Sequence, residues 1–129
     1  MGLFDAIAQR RTAKQAAGDA AEDRALSWLQ RQGLRAVERN FRCKGGEIDL
    51  VMQDGDTLVF VEVRQRADRN FGGAAASVTP RKQARLVLAA QTFLQRYRNP
   101  PPCRFDVIAI DGSASDGSAL EWLKNAIEA

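Results

Sequence analysis

The chain is most constrained by two apolar runs of strand length that flank a tight-turn signal. Residues 48–52 and 58–63 are rich in Val, Ile and Phe, and the sequence Asp54-Gly55-Asp56 lies between them. An Asp-Gly step between two such runs is typical of a β-hairpin. The sequence therefore predicts an antiparallel hairpin at the centre of the chain.

Each predicted strand carries an acid among apolar neighbours, namely Asp49 and Glu62. Side chains of a strand alternate between its two faces. On the second strand, one face would carry Val59, Val61 and Val63. If that face packs on the same core as Ile48 and Leu50, then Asp49 and Glu62 share the opposite face.

Two neighbouring carboxylates beside apolar side chains repel each other and are costly unless they are paired or hold a cation. Hard oxygen ligands of this kind suit Mg²⁺ or Mn²⁺. The alternative is a solvated outer face, on which Glu62 pairs with Arg64 or Arg66. Both interpretations remain open on the residues alone.

Further segments of the chain carry a family resemblance. They are Arg39-Asn40-Phe41-Arg42, Gly46-Glu47-Ile48-Asp49-Leu50, Val59-Phe60-Val61-Glu62-Val63, Arg66, Thr79-Pro80-Arg81-Lys82 and Arg104-Phe105-Asp106-Val107. In this order they resemble the YraN family of small bacterial proteins, within the PD-(D/E)XK nuclease superfamily. The resemblance implies a restriction-endonuclease-like α/β sandwich with a mixed central sheet flanked by helices.

The resemblance also implies a site. Its metal ligands for Mg²⁺ or Mn²⁺ would be Glu22, Asp49, Glu62 and the carbonyl of Val63. Its catalytic residues would be Asp49, Glu62, Arg64 and Gln65. Its nucleic-acid-binding residues would be Arg42, Lys44, Arg66, Arg81 and Lys82. The implied function is metal-dependent endonuclease action on DNA, on branched or damaged structures, and two subunits would suit a duplex.

The chain departs from the superfamily pattern at Arg64, where a Lys is expected two residues after the Glu. Arg steadies a phosphate but stays protonated, so it does not transfer a proton. Lys82 could replace the missing Lys. Two alternatives follow: a nucleic-acid-binding module that no longer cuts, or a scaffold protein whose acids only stabilise the sheet. For Glu22 the alternative is a solvated helix residue paired with Arg24.

Composition excludes several function classes. The sequence contains no His, which excludes Ser-His-Asp triads and His-ligated zinc. Cys43 and Cys103 are too few for a disulfide framework, so we expect two reduced thiols in a cytoplasmic protein. We see neither a signal peptide nor an apolar run of membrane-spanning length. The net charge of +3 does not by itself predict nucleic-acid binding, whereas basic residues on both sides of the acidic pair favour it.

The remaining pattern predicts one domain over residues 19–129 after a tail or short helix at 1–18. The predicted elements are a helix at 19–32 ended by Gly33, an edge strand at 34–41, a helix from Pro80 to about 97 capped by Thr79, and a buried strand at 105–110. A flexible loop is expected at 70–73 and another at 111–118. Residues 120–127 fit a short helix or a strand, and the resemblance favours the strand. We assign Asp106 to structural pairing, with Arg104 as the first candidate.

Overall fold

A computed structural model describes residues 13–66, 78–112 and 119–127. In these ranges five strands form one sheet in the order β1-β2-β3-β4-β5, and helices pack on both of its faces. The mixed α/β sandwich expected from the sequence is confirmed. Predicted features outside the described residues are the tail at 1–12, Arg69, the loop at 70–73 and most of the loop at 111–118.

The first helix, α1, spans Ala13–Arg31 and starts six residues before the predicted position. Residues 13–18 of the segment predicted as a tail or a short helix are therefore helical. Its C-terminal end agrees with the sequence, because Gly33 follows with a φ of +98°. The N–H of Leu34 donates to the carbonyl of Leu29 and closes the last turn, as glycine-terminated helices do.

The predicted hairpin is confirmed. β2 (Gly46–Asp54) and β3 (Thr57–Arg66) pair antiparallel with Asp54 opposite Thr57. Gly55 takes the first of the two turn positions with a φ of +60°, the place of glycine in such turns. β1 (Arg35–Cys43) pairs with β2 alone and is the predicted edge strand.

The second helix, α2, spans Pro80–Leu94. The hydroxyl of Thr79 accepts a hydrogen bond from the N–H of Lys82, which confirms the predicted N-cap. The helix ends three residues before the expected 97. It connects β3 to β4 (Cys103–Asp111), which runs parallel to β3. The ambiguous C-terminal segment forms a strand, β5 (Ala119–Leu123), antiparallel to β4.

Two apolar cores lie on opposite faces of the sheet. Ala21, Ala25 and Leu29 of α1 pack on one face with Val59, Val61 and Val63. Leu86, Ala89, Ala90 and Phe93 of α2 pack on the other with Leu58 and Phe60. The strand β3 is therefore buried on both faces, so its acid, Glu62, is held inside the sandwich.

One predicted face assignment was wrong. Leu50 packs on the α1 side, whereas Ile48 packs on the α2 side. The last regular pair of β2 with β3 is Leu50 with Val61. Ile48 lies beyond this pair, where β2 is paired with β1 alone, so pairing with β3 no longer fixes the face on which Ile48 packs.

Gly46, at the start of β2, lies directly against α2. A Cβ on this residue would come within 2.5 Å of the carbonyl oxygen of Arg85. Gly46 therefore makes a close approach to a helix. Its lack of a side chain fixes the distance between β2 and α2.

Asp106 is fully buried and structural, as predicted. It accepts hydrogen bonds from Arg104 Nε at 3.1 Å, from Trp122 Nε1 at 2.9 Å and from the N–H of Asn125 at 2.9 Å. Arg104 also contacts Asp54 at 2.9 Å. This network ties β4, β5 and the β2–β3 turn together. Within the described ranges, no helix has both the length and the apolar character needed to cross a membrane.

Candidate metal centre

Asp49 is positioned by the opening of the β2–β3 ladder. Regular pairing stops at Leu50 and Val61, and beyond it the N–H of Val63 donates a 2.8 Å hydrogen bond to Oδ2 of Asp49. A side-chain acceptor thus takes the place of a ladder carbonyl. The carboxyl group is held at the point where the two strands separate.

A cavity of about 300 Å³ lies at this point, and we call it the acidic cavity. Both helices and both central strands contribute to it. Its lining consists of Gly18, Ala21, Glu22, Glu47, Asp49, Glu62, Val63, Arg64, Gln65 and Lys82. The structure therefore brings together all four residues expected to hold a metal and all four expected to be catalytic.

Asp49 and Glu62 line the acidic cavity together, close enough for each to shift the pKa of the other. Burial and the charge of Asp49 raise the pKa of Glu62 to about 8, although Arg64 and Lys82 oppose the shift. Burial also raises the pKa of Asp49, while the N–H of Val63 lowers it. Both carboxyls therefore bind a proton more readily than a solvated acid does, as closely placed carboxylates do.

Glu22 faces the same two acids from α1. Burial and the charge of Asp49 raise its pKa to about 7, against the opposing charge of Arg39. Its Oε1 is buried without a hydrogen-bond partner among the described residues, and Arg39 lies 3.8 Å away. The predicted alternative of an exposed helix-end residue does not fit, because α1 begins nine residues earlier, at Ala13.

A second cavity of about 290 Å³ adjoins the first on the α2 side, and we call it the cationic cavity. It is lined by Glu47, Glu62, Thr79, Arg81, Lys82 and Arg85. Glu47, Glu62 and Lys82 line both cavities. Lys82 thus lies at the boundary between the acidic cavity and the cationic cavity.

The predicted nucleic-acid-binding residues divide into two groups. Arg81 and Lys82 line the cationic cavity. Arg42 lines neither cavity, but it lies 3.8 Å from Glu47, which lines both. Lys44 and Arg66 are exposed and line neither cavity.

Among the predicted catalytic residues, Arg64 and Gln65 are already engaged. Arg64 lies 3.7 Å from Oε1 of Glu62, which is the ion pair that the alternative interpretation anticipated. Gln65 donates from Nε2 to the carbonyl of Gly112 at 3.0 Å. Its amide nitrogen is therefore committed to the β4 end of the sheet.

Sequence reasoning assigned no site role to Glu47, whereas it placed Arg85 with Arg81 and Lys82 in a phosphate site at the start of α2. Arg85 follows Arg81 by one helical turn, so the two share a face of α2. Glu47 precedes Asp49 by two residues and lies on the same predicted face, which was the available signal. This spacing could have been used, but it is also common on solvated surfaces.

The donor set fits a hard divalent cation in part. Two neighbouring carboxyls and a buried Glu22 oxygen without a hydrogen-bond partner are what a bound cation would neutralise. However, the described part of the chain contains no group of three or more ligating side chains close enough together to hold an ion. Mg²⁺ commonly takes one or two carboxylates and fills its shell with water and substrate phosphate. Asp49 and Glu62 match that mode.

The fold and the site thus define an α/β sandwich with an acidic cavity at the opening of its central hairpin. The family model described as "Uncharacterised protein family UPF0102" matches residues 21–110, so the chain belongs to the UPF0102 family. This confirms the expected YraN-like family. A UPF0102 protein of Herminiimonas arsenicoxydans is 70% identical over 99% of both chains. One from Janthinobacterium sp. (strain Marseille) is 64% identical over 96% of this chain and 97% of its own.

Proposed function

We propose that this protein is a divalent-metal-dependent nuclease-like protein that acts on DNA, including branched or damaged structures. The observation that carries the proposal is that Asp49 and Glu62 line one cavity, and that this cavity shares Glu62 and Lys82 with a neighbouring cavity lined by three cationic side chains. The two acids would bind a divalent cation, and the neighbouring basic side chains would bind an anion. A phosphodiester substrate needs both. The order of Asp49, Glu62 and a basic residue also supports placement in the PD-(D/E)XK superfamily.

In this proposal Asp49 and Glu62 hold Mg²⁺ or Mn²⁺, with Glu22 and the carbonyl of Val63 in support. The metal would lower the pKa of a bound water and neutralise charge on the phosphate. The hydrogen bond from the N–H of Val63 keeps Asp49 oriented. A homodimer would let two such sites address the two strands of a duplex.

Lys82 is the candidate for the lysine that the strand lacks. It lines the acidic cavity, and its charge lowers the pKa of Glu62. Its ammonium group exchanges a proton, which the guanidinium of Arg64 does not do. Lys82 would therefore orient the attacking water, while Arg64 would steady the phosphate.

The test is cleavage of a labelled four-way junction and of linear duplex DNA with Mn²⁺ or Mg²⁺. We expect cleavage that EDTA abolishes and that Asp49→Asn removes while the fold is retained. Asp56→Asn is the matched control, because Asp56 is exposed in the β2–β3 turn. Wild-type protein that binds metal but leaves every substrate intact would overturn the nuclease assignment.

A second candidate is a nucleic-acid-binding module of the same fold that does not cut. The ion pair between Arg64 and Glu62 favours it, because a guanidinium held by a metal ligand competes with the metal. Binding of DNA without turnover, in both the wild type and Arg64→Lys, would support this candidate over the first.

A further inference from the structure

The cationic cavity gathers three basic side chains. Arg81, Lys82 and Arg85 line it, and none of them forms an ion pair within 4.0 Å with another described residue. Three like charges around one space repel each other. An anion in the cavity would relieve this repulsion.

Five other arginines of the described ranges have an acid within 4.0 Å, whereas Arg31, Arg35, Arg66 and Arg98 form no such ion pair with a described residue. Arg39 pairs with Asp23, Arg42 with Glu47, Arg64 with Glu62, Arg96 with Glu38, and Arg104 with Asp54 and Asp106. The chain thus supplies acids to many of its cations. The three cations of the cationic cavity are distinguished by lining one space together.

We propose that the cationic cavity binds a second phosphate of a polynucleotide strand, the one next to the phosphate in the acidic cavity. The proposal rests on the proposed function. Glu47, Glu62 and Lys82 form a shared wall between the two cavities, so groups in the two cavities are neighbours. The substrate class is therefore a strand with consecutive internal phosphodiesters.

The size and the charge of the cavity fit this ligand. Its volume of about 290 Å³ is the space of roughly ten water molecules, enough for one phosphate with part of its sugar. Glu47 and Glu62 lie on the wall toward the acidic cavity, and Arg42 lies 3.8 Å from Glu47. The phosphate is therefore held toward Arg81 and Arg85, away from the acids.

The test is the binding of a fluorescent single-stranded oligonucleotide in EDTA, between about 50 and 200 mM salt. We compare the wild type with Arg81→Gln/Arg85→Gln. The control is Arg31→Gln/Arg35→Gln, which removes the same charge. Arg35 lies opposite Gln53 in the β1–β2 ladder, at the turn end of the hairpin and away from both cavities.

We expect Arg81→Gln/Arg85→Gln to lose about tenfold or more in affinity. The slope of log K against log salt should fall by about 0.7 for the lost phosphate contact. The control should change both quantities less. Equal losses in the two double variants would overturn the proposal. A loss seen only with a 5′-phosphorylated oligonucleotide would also overturn it, because the ligand would then be a strand end.

Calorimetric titration of Mn²⁺ into the same proteins separates this inference from the proposed function. Weaker DNA binding with unchanged Mn²⁺ binding in Arg81→Gln/Arg85→Gln supports the phosphate site. If the wild type binds no metal but shows the same loss of DNA affinity, the phosphate site stands and the nuclease assignment fails. If Arg81→Gln/Arg85→Gln binds DNA as tightly as the wild type and both bind Mn²⁺, the phosphate site fails and the nuclease assignment stands.

Discussion

The N–H of Val63 donates a 2.8 Å hydrogen bond to Oδ2 of Asp49, fourteen residues earlier in the chain. One strand of the central hairpin therefore orients the acid of the other at the point where their pairing ends. Glu62, next to Val63, is brought close to Asp49 by the same arrangement. The account of the site depends on this pair of acids.

The first prediction concerns stability against pH without metal. The pKa of Glu62 is raised from 4.5 to about 8 and that of Glu22 from 4.5 to about 7. The folded state therefore binds these protons more tightly than the unfolded state. The stability that these protons contribute is fully present below pH 4.5. It is lost as the pH rises through about 7 for Glu22 and about 8 for Glu62, by roughly 1 kcal/mol per pH unit for each group.

We expect Tm in EDTA to fall between pH 5 and pH 9 by differential scanning calorimetry, and Glu62→Gln to flatten this fall. Glu121→Gln, at an exposed position of β5, is the charge-matched control. Parallel curves for the wild type and Glu62→Gln would show that Glu62 is not buried against Asp49 as described.

The second prediction separates Lys82 from Arg64. If Lys82 orients the water, Lys82→Met lowers the cleavage rate by about 10²-fold or more and leaves Mn²⁺ affinity within about twofold. Arg64→Lys should retain or raise the rate, because it restores the strand lysine. Single-turnover cleavage measures both. If Lys82→Met were fully active, a residue outside α2 would orient the attacking water.

The sequence predicted the hairpin, the capped helix and the sheet class because each depends on local chemistry. Gly55 in the turn and Thr79 at the cap act through their immediate neighbours. The resemblance placed the two acids in one site, whereas the alternation argument did not establish this, because Ile48 and Leu50 pack on opposite faces. The second cavity was not predictable, because it depends on how closely α2 packs on Gly46.

The face of Ile48 was mispredicted for a related reason. Alternation holds only while a strand remains in its ladder, and β2 leaves β3 beyond Leu50. The sequence carries no direct sign of where a ladder opens. In this protein the opening is also where the site forms, so the departure from the regular pattern and the candidate function coincide.

The third prediction tests the contact between β2 and α2. Gly46→Ala places a Cβ 2.5 Å from the carbonyl oxygen of Arg85, so we expect a loss of about 1–3 kcal/mol in the free energy of unfolding. Gly18→Ala is the matched variant, because a Cβ there meets nothing within 4 Å. Within a helix, that change should stabilise by about 0.5–1 kcal/mol. Urea denaturation measures both, and equal effects would contradict the packing.

The fourth prediction concerns the buried network of Asp106. Asp106→Ala leaves Trp122 Nε1 and the N–H of Asn125 without their acceptor and removes one of the two acids that Arg104 contacts. We expect a loss of about 3–5 kcal/mol, measured by urea denaturation, with Mn²⁺ binding retained by the folded fraction. Asp56→Ala, in the exposed turn, should stay within about 0.5 kcal/mol of the wild type. If Asp106→Ala lost little free energy of unfolding but no longer bound Mn²⁺, Asp106 would belong to the metal site instead.

The central claim is that Asp49 and Glu62 hold a divalent cation, and calorimetric titration of Mn²⁺ and Mg²⁺ tests it most directly. The wild type should bind in the millimolar range or tighter. Affinity should rise between pH 6 and pH 8, because protons bound by the two acids must leave first. Asp49→Asn/Glu62→Gln should give no saturable heat. Absence of heat from the wild type, or equal binding by the double variant, would contradict the account.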